Sequence, residues 1–272
     1  MILCVDTGGT KTLVAEFGSN GHPYRIHRFA TPHNPDAYIK KLSTLITQQY
    51  NLLEVEAISI GVPGEVRHGQ LLWCVNLPWK NFDIVHQLGA ALRYVRPIYI
   101  DNDANMGAIG EAYALHPLPH SALYLTVSTG INGCLVVDGA IQPGIDHSEM
   151  GMMVVEYKGN IIKWENLASG RALYESTGQF ARDITDPVIW HDVAHKLSRG
   201  LLDIIPILQP DCIIIGGSIG TYFERFSADL KSILDRDLYA HLDRPRLLKA
   251  HHPEEAVIYG GYHYARHARV AH

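Results

Sequence analysis

The chain has 272 residues, 47% of them hydrophobic and 19% charged, with a formal net charge of -5. That is apolar material enough for one large domain or two smaller cores, and an acidic balance with no dense Lys/Arg run speaks against a general nucleic-acid binder. No stretch is long and apolar enough to cross a membrane, and the chain opens on a strand-like run without a basic segment or an apolar signal region, so a cytoplasmic location is expected.

In chain order, "CVDTGGTKTLVAEF" at residues 4 to 17 is two apolar runs joined by a polar glycine segment, the pattern of a hairpin. "YRIHRF" supplies a third strand, and the apolar spacing of "PDAYIKKLSTLITQQYN" predicts a helix from about Asp36 to Gln49. "VEAISIGVPGEV" is a buried strand ending at a Pro-Gly turn; "PIYID" is another strand, and "NDANMGAIGEAYAL" is a helix that starts beside Asp103. "TVSTGINGCLVVDG" at residues 126 to 139 repeats the opening hairpin, with Ser128 where Asp6 stands in the first copy. Helical stretches follow around "ASGRALYESTGQFARDI" and "VIWHDVAHKLSRGLLDIIPIL", then a continuous apolar strand, "DCIIIGG", and a closing amphipathic helix in "PEEAVIYGGYHYARHA". Strands alternating with helices indicate an α/β protein. No Ser/Gly linker separates the halves, and the boundary is placed near Asn102, at a strand-to-helix junction suited to a hinge.

The two glycine turns carry the chemistry. Gly8 and Gly9 in the first, and Gly130 and Gly133 in the second, permit backbone angles that leave amide N–H groups pointing outward, a concavity for anions. Two such turns suit a polyphosphate held from both sides. Asp6 is acidic where phosphate is expected, and a bridging divalent cation, magnesium with one carboxylate and phosphate oxygens, resolves the conflict. Cys4, Cys74, Cys134 and Cys212 show no CxxC pairing, and the tandem His251 and His252 reads as solvated surface rather than as a pair of metal ligands.

Read together, "DTGGTK" (6 to 11), "GVPGEV" (61 to 66), "NLPW" (76 to 79), "DNDANMGAIGEA" (101 to 112), "STGINGCLV" (128 to 136), "SEMGMM" (148 to 153), "ENLASGRAL" (165 to 173), "IIIGGS" (213 to 218) and "EEAVIYGGYHYAR" (254 to 266) resemble, in order and spacing, the ROK family of sugar kinases. That family lies in the superfamily of actin, hexokinase and the heat-shock ATPases. The resemblance implies a duplicated, two-lobed, ribonuclease H-like fold of mixed sheets flanked by helices, with the active site in the interlobe cleft. The lobes are expected at 1–101, with the closing helix 254–272 packing back on the first, and at 102–253.

Carried over residue by residue, the resemblance assigns Asp6 to magnesium. Thr7, Gly8, Gly9, Thr10, Lys11, Ser128, Thr129 and Gly130 are assigned to the phosphates of ATP, and Gly216 and Gly217 to adenosine. It assigns Gly64, Asn76, Asn102, Asp103, Glu149 and Glu165 to the sugar, with Asp103 as the general base that accepts the proton of the attacking hydroxyl; a plain helix N-cap is the alternative reading of Asp103. The expected activity is ATP-dependent phosphorylation of a hexose, glucokinase-like at the 6-hydroxyl of glucose, by a homodimer that binds neither nucleic acid nor membrane. Alternatives are a sugar-binding regulator, a degenerate non-catalytic member, and polyphosphate as the donor. One departure stands out. Where the family's usual pattern has a histidine and a cysteine-rich zinc loop, this chain has Met152 and no cysteine between Cys134 and Cys212. Structural zinc is therefore not expected, and direct packing, with Trp164 as the candidate, is expected to hold the shortened loop.

Overall fold

A computed structural model describes residues 1–74 and 76–270. By its contacts the chain divides into two units, one formed by Met1–Gly110 and the residues from Glu255 onward, the other by Glu111–Glu254. The division falls inside a helix, eight residues beyond the strand-to-helix junction at Asn102.

In the first unit, β1 (Ile2–Thr7), β2 (Lys11–Phe17) and β3 (Pro23–Ala30) lead to α1 (Pro35–Gln49), which starts where the Asn34 side chain accepts the Ala37 amide. Then follow β4 (Ala57–Val62), β5 (Glu65–Arg67), β6 (Gln70–Trp73), β7 (Lys80–Phe82), α2 (Ile84–Leu92), β8 (Ile98–Asn102) and α3 (Asp103–Ala114). The main sheet has the order β3-β2-β1-β4-β8, antiparallel among the first three strands and parallel from β1 to β8. The strand alternation feeds two cores. Leu3 and Val5 of β1 pack with Tyr38, Leu42 and Ile46 of α1, spaced one helical turn apart, while Ile2 and Cys4 face Ile258, Tyr262 and Ala265 of the C-terminal helix Ala256–Val270. A sheet covered on both faces explains why β1 is buried almost without interruption. The C-terminal helix crosses α3 with backbones in contact: a methyl group on Gly260 would overlap the Met106 carbonyl, and one on Gly110 the Ala256 carbonyl.

The second unit contains β9 (Ser121–Val127), β10 (Ile131–Val137), β11 (Ala140–Ile141), β12 (Val154–Tyr157), β13 (Asn160–Lys163), α4 (Trp164–Ala168), α5 (Gly170–Thr177), α6 (Pro187–Leu208), β14 (Cys212–Gly216), α7 (Gly217–Gly220), α8 (Ser227–Asp237) and β15 (Arg246–Lys249). Its sheet, β11-β10-β9-β14-β15, repeats the first unit's scheme of an antiparallel hairpin continued by parallel strands. The repeated hairpin in the sequence is thus the opening of a duplicated α/β lobe. The helical stretch expected over 168–184 is shorter: α5 stops at Gly178, which takes the left-handed conformation with φ 69°, and the chain turns back.

All four cysteines are buried thiols, with no disulfide among the described residues. The tandem histidines are more than solvated surface, since the backbone amides of His251 and His252 donate to the fully buried carboxylate of Glu111 at 2.6 and 2.7 Å. No helix among the described residues is long and apolar enough to cross a membrane.

Candidate active site

Register brings the first unit's carboxylates together. Asp6 on β1 lies opposite Gly61 on β4, and Gly61 opposite Asp101 on β8, so Asp6 and the residues that follow Asp101 emerge at the same carboxyl end of three parallel strands, where α/β sheets bind ligands. Asp6 is pushed up to about 7 by burial, then by the charge of Asp103, with Lys11 opposing. At the start of α3 it is Asn102 that caps: its Oδ1 accepts the amides of Ala104 at 2.8 Å and Asn105 at 3.4 Å, and its Nδ2 donates to the Gly64 carbonyl at 2.9 Å. Asp103, the first helical residue, accepts the adjacent Ala104 amide at 2.9 Å. Gly64 has φ +150° and a Cβ there would overlap the Trp73 carbonyl, so this bend admits glycine alone.

The first glycine turn is braced from β3's end. Gly8 donates to the Lys11 carbonyl at 2.9 Å, and Thr31 donates its hydroxyl to the Gly8 carbonyl at 2.7 Å, which leaves it to accept from Thr12 at 2.9 Å. The Gly9 and Thr10 amides at the tip take no part in these bonds. Asn76, exposed, lies against Gly9, where a Cβ would come within 2.9 Å of the asparagine's own. The Thr7 hydroxyl is buried and bonded to the Tyr38 hydroxyl at 2.7 Å, turned into the core, which leaves the Thr7 backbone as the part that could meet phosphate.

In the second unit, Thr126 of β9 pairs with Gly216 of β14, so Ser128 and Gly217 leave neighbouring parallel strands at one sheet end. Ser128 donates its amide to Gly130 at 2.9 Å and accepts from the Gly170 amide at 2.6 Å, tying the turn to the start of α5. Gly217, at φ +77°, runs so close to Val127 that a Cβ would sit 2.5 Å from its carbonyl oxygen. Beside the turn opens a cavity of about 470 Å³, whose lining includes Ser128, Thr129, Gly170, Arg171, Ser218 and Thr221 together with Tyr174, Phe180, Arg182 and Tyr222. Tyr174 and Phe180 stack with ring centroids 4.7 Å apart, and the Arg182 guanidinium lies over Phe180 at 4.9 Å. Glu165 reaches the turn from α4: a Cβ on Gly130 would lie 2.8 Å from its Oε2, and its Oε1 accepts from Arg171 at 3.3 Å. Glu149 is exposed just before a single 3-10 turn, Met150–Met152.

The ROK family model matches residues 2–268 of the chain. The chain belongs to the ROK family. It is similar to a fructokinase of Lactococcus lactis subsp. cremoris, 28% identical over 79% of this chain and 78% of that protein. It is also similar to an N-acetylmannosamine kinase of Escherichia coli O157:H7, 28% identical over 95% and 96%. Its fold matches a ROK family glucokinase from Streptomyces griseus, in complex with glucose and AMPPNP, with a TM-score of 0.80 at 21% identity over 98% of this chain and 99% of that one. The chain shares the two-lobed fold of these structures.

In this ROK protein the expected site residues fall into two groups. Asp6, Gly8, Gly9, Thr10, Lys11, Gly64, Asn76, Asn102 and Asp103 belong to the first unit, and Ser128, Thr129, Gly130, Glu149, Glu165, Gly216 and Gly217 to the second. Sequence reasoning missed Arg171, Tyr174, Phe180 and Arg182. The aromatic pair was concealed by reading 168–184 as helical, for only the turn after Gly178 folds Phe180 back onto Tyr174; the αL-prone glycine was the available signal. No group of three or more His, Cys, Asp or Glu that could hold a metal occurs among the described residues. Magnesium asks for less, one or two carboxylates with phosphate oxygens completing its shell. A carboxyl whose charge is opposed by burial and by a neighbouring carboxylate, as at Asp6, is a place where a divalent cation restores the charged form, so the residues fit that ion.

Proposed function

We propose that this ROK protein is a sugar kinase that transfers the γ-phosphoryl group of ATP to a hexose hydroxyl. The observation that carries the reading is the division of labour at the end of β8: Asn102 caps α3, while Asp103 stands beside Asp6 at the carboxyl end of the sheet. Asp103 would accept the proton of the attacking hydroxyl, and Asn102, through its bond to Gly64, would fix the loop that presents the sugar. Magnesium held at Asp6 would supply neutralising charge on the phosphates. The tip amides of Gly9, Thr10, Thr129 and Gly130 would hold phosphate oxygens, as backbone N–H groups in turns do. Phosphoryl transfer asks little more of a protein than this positioning and charge.

A nucleotide is favoured over polyphosphate as the donor by the aromatic part of the second unit's cavity, which offers a nucleobase the stacked Tyr174–Phe180 pair and offers a bare phosphate chain nothing. For the acceptor, the fructokinase and N-acetylmannosamine kinase relatives widen the expectation of glucose to hexoses in general. The test is ADP release with glucose, fructose and N-acetylmannosamine, run in parallel with ATP and polyphosphate. Turnover of one hexose with ATP supports the reading. Sugar binding without turnover would replace it with a sugar-responsive or degenerate protein.

A further inference from the structure

Arg171, on the first turn of α5, touches both sides of the second unit's chemistry. The residue lines the cavity with Ser128 and Thr129, beside the turn assigned to phosphate. Its guanidinium donates through one nitrogen, Nη2, to Glu165 Oε1 and to Asn166 Oδ1, both at 3.3 Å. Glu165 is the more enclosed partner, 17% exposed against 45% for the arginine side chain, and its other oxygen faces Gly130 of the turn.

This arrangement has a cost for an incoming polyphosphate. A carboxylate against the turn repels phosphate oxygens, and the arginine that neutralises it is itself occupied. The existing bonds are long and shared between two acceptors from a single nitrogen, whereas guanidinium binds phosphate best through two nitrogens in parallel. A triphosphate reaching Thr129 and Gly130 therefore offers Arg171 a better partner than Glu165. Once the arginine turns away, Glu165 loses its counter-charge and becomes available as an acceptor for sugar hydroxyls.

We propose that Arg171 is a positioning residue that couples donor to acceptor: it holds Glu165 through Nη2 and exchanges it for phosphate when nucleotide binds, releasing Glu165 to the sugar. The proposal rests on the kinase reading above, and on Glu165 as a sugar ligand within it. Thermodynamic linkage then requires that nucleotide tighten sugar binding and that sugar tighten nucleotide binding by the same factor.

Calorimetry on the full chain tests this with AMPPNP and magnesium as the donor probe and glucose, fructose and N-acetylmannosamine as acceptor probes, each titrated with and without the other. In the parent, AMPPNP should tighten binding of the sugar that binds by about fivefold or more. In Arg171→Met that factor should fall to near one while the sugar still binds; Arg171→Lys, which keeps the charge but not the fork, should retain part of it. Glu165→Gln should tighten AMPPNP in the absence of sugar, since the repulsion and the competing partner are both gone. An unchanged coupling factor in Arg171→Met, or AMPPNP binding to Glu165→Gln that is equal to or weaker than in the parent, overturns the proposal. AMPPNP that fails to bind the parent, or that binds while none of the sugars does, is a different result and removes the kinase reading itself, and with it the basis of the coupling.

Discussion

Asp103 and Asp6 differ in what their surroundings ask of them, and each difference can be measured. Asparagine caps helices as well as aspartate does, and at α3 the cap is already an asparagine, Asn102. Asp103→Asn should therefore leave the fold alone while lowering turnover by about 10²- to 10⁴-fold, the usual contribution of a positioned base, with sugar affinity changed far less. Turnover within a few-fold of the parent would end the case for Asp103 as the base. Asp6 carries a thermodynamic signature instead. Its carboxyl is pushed from an ordinary 3.8 up to about 7, so between those values the folded protein holds a proton that the unfolded chain has released, and stability falls as pH rises through that window. Asp6→Asn never bears the charge. Without magnesium, its advantage over the parent in urea unfolding should be small near pH 4 and grow to roughly 2–4 kcal/mol by pH 8. A difference that stays flat from pH 4 to 8 would show that Asp6 is not held in this state. The same shift predicts that the magnesium requirement of turnover rises as pH falls from 8 to 6, because the proton competes with the metal.

At the scale of elements, the segment that departs from the family's usual zinc loop is the β12–β13 hairpin running into α4. It is held by side chains. The Tyr157 hydroxyl donates to Asp192 on α6 at 2.8 Å, and Trp164, fully buried, donates its indole N–H to the Lys196 carbonyl at 3.2 Å and packs against Gly200. Met152 is 43% exposed, its Sδ accepting from Lys163 Nζ at the end of β13 at 3.6 Å. Trp164→Ala should then cost about 3–5 kcal/mol, as loss of a large core aromatic does, whereas a chelator should leave the unfolding midpoint of the parent unchanged. A midpoint lowered by chelation would mean that metal shares the role. Sequence reading reached Trp164 but not the hairpin around it, because the polar and apolar residues of "VVEYKGNIIK" do not alternate cleanly; its register is closed by the two-residue turn Lys158–Gly159, both at positive φ, and Tyr157 docks it on Asp192, 35 residues away. The main strands were legible for the opposite reason: the strands within "CVDTGGTKTLVAEF" and "DCIIIGG" are buried almost without interruption, and their glycines mark where the chain must turn. The cavity's aromatic wall is an element-level feature too, made by α5 ending at Gly178. Phe180→Ala should weaken AMPPNP binding by about 2- to 10-fold, the worth of one aromatic contact, and leave any use of polyphosphate unaffected. Equal losses with both donors would mean that Phe180 supports the fold rather than the base.

For the whole molecule, duplication was readable because each hairpin is local, while the first passage from one unit to the other, expected near Asn102, lies at Gly110–Glu111. That place is defined by contacts between residues about 140 positions apart. The chain passes between the units at Gly110–Glu111 and again at Glu254–Glu255, and Glu111 ties the stretch before the second passage to the helix at the first by accepting the amides of His251 and His252. The His251 and His252 rings stand 3.9 and 3.6 Å from the same carboxylate. A fully buried carboxylate spent on backbone amides fixes main chain rather than side chain, so its removal should loosen one segment and not the sheets. Glu111→Ala leaves two amides without their acceptor and should lower stability by about 2–5 kcal/mol. Glu111→Gln keeps one acceptor oxygen and should lose less. Amide hydrogen exchange gives the location: in Glu111→Gln, protection should fall at residues 250–254 before it falls in β9 or β14. Loss spread evenly through the second unit's sheet would assign Glu111 to the general core; a loss confined to 250–254 assigns it to the passage between the units.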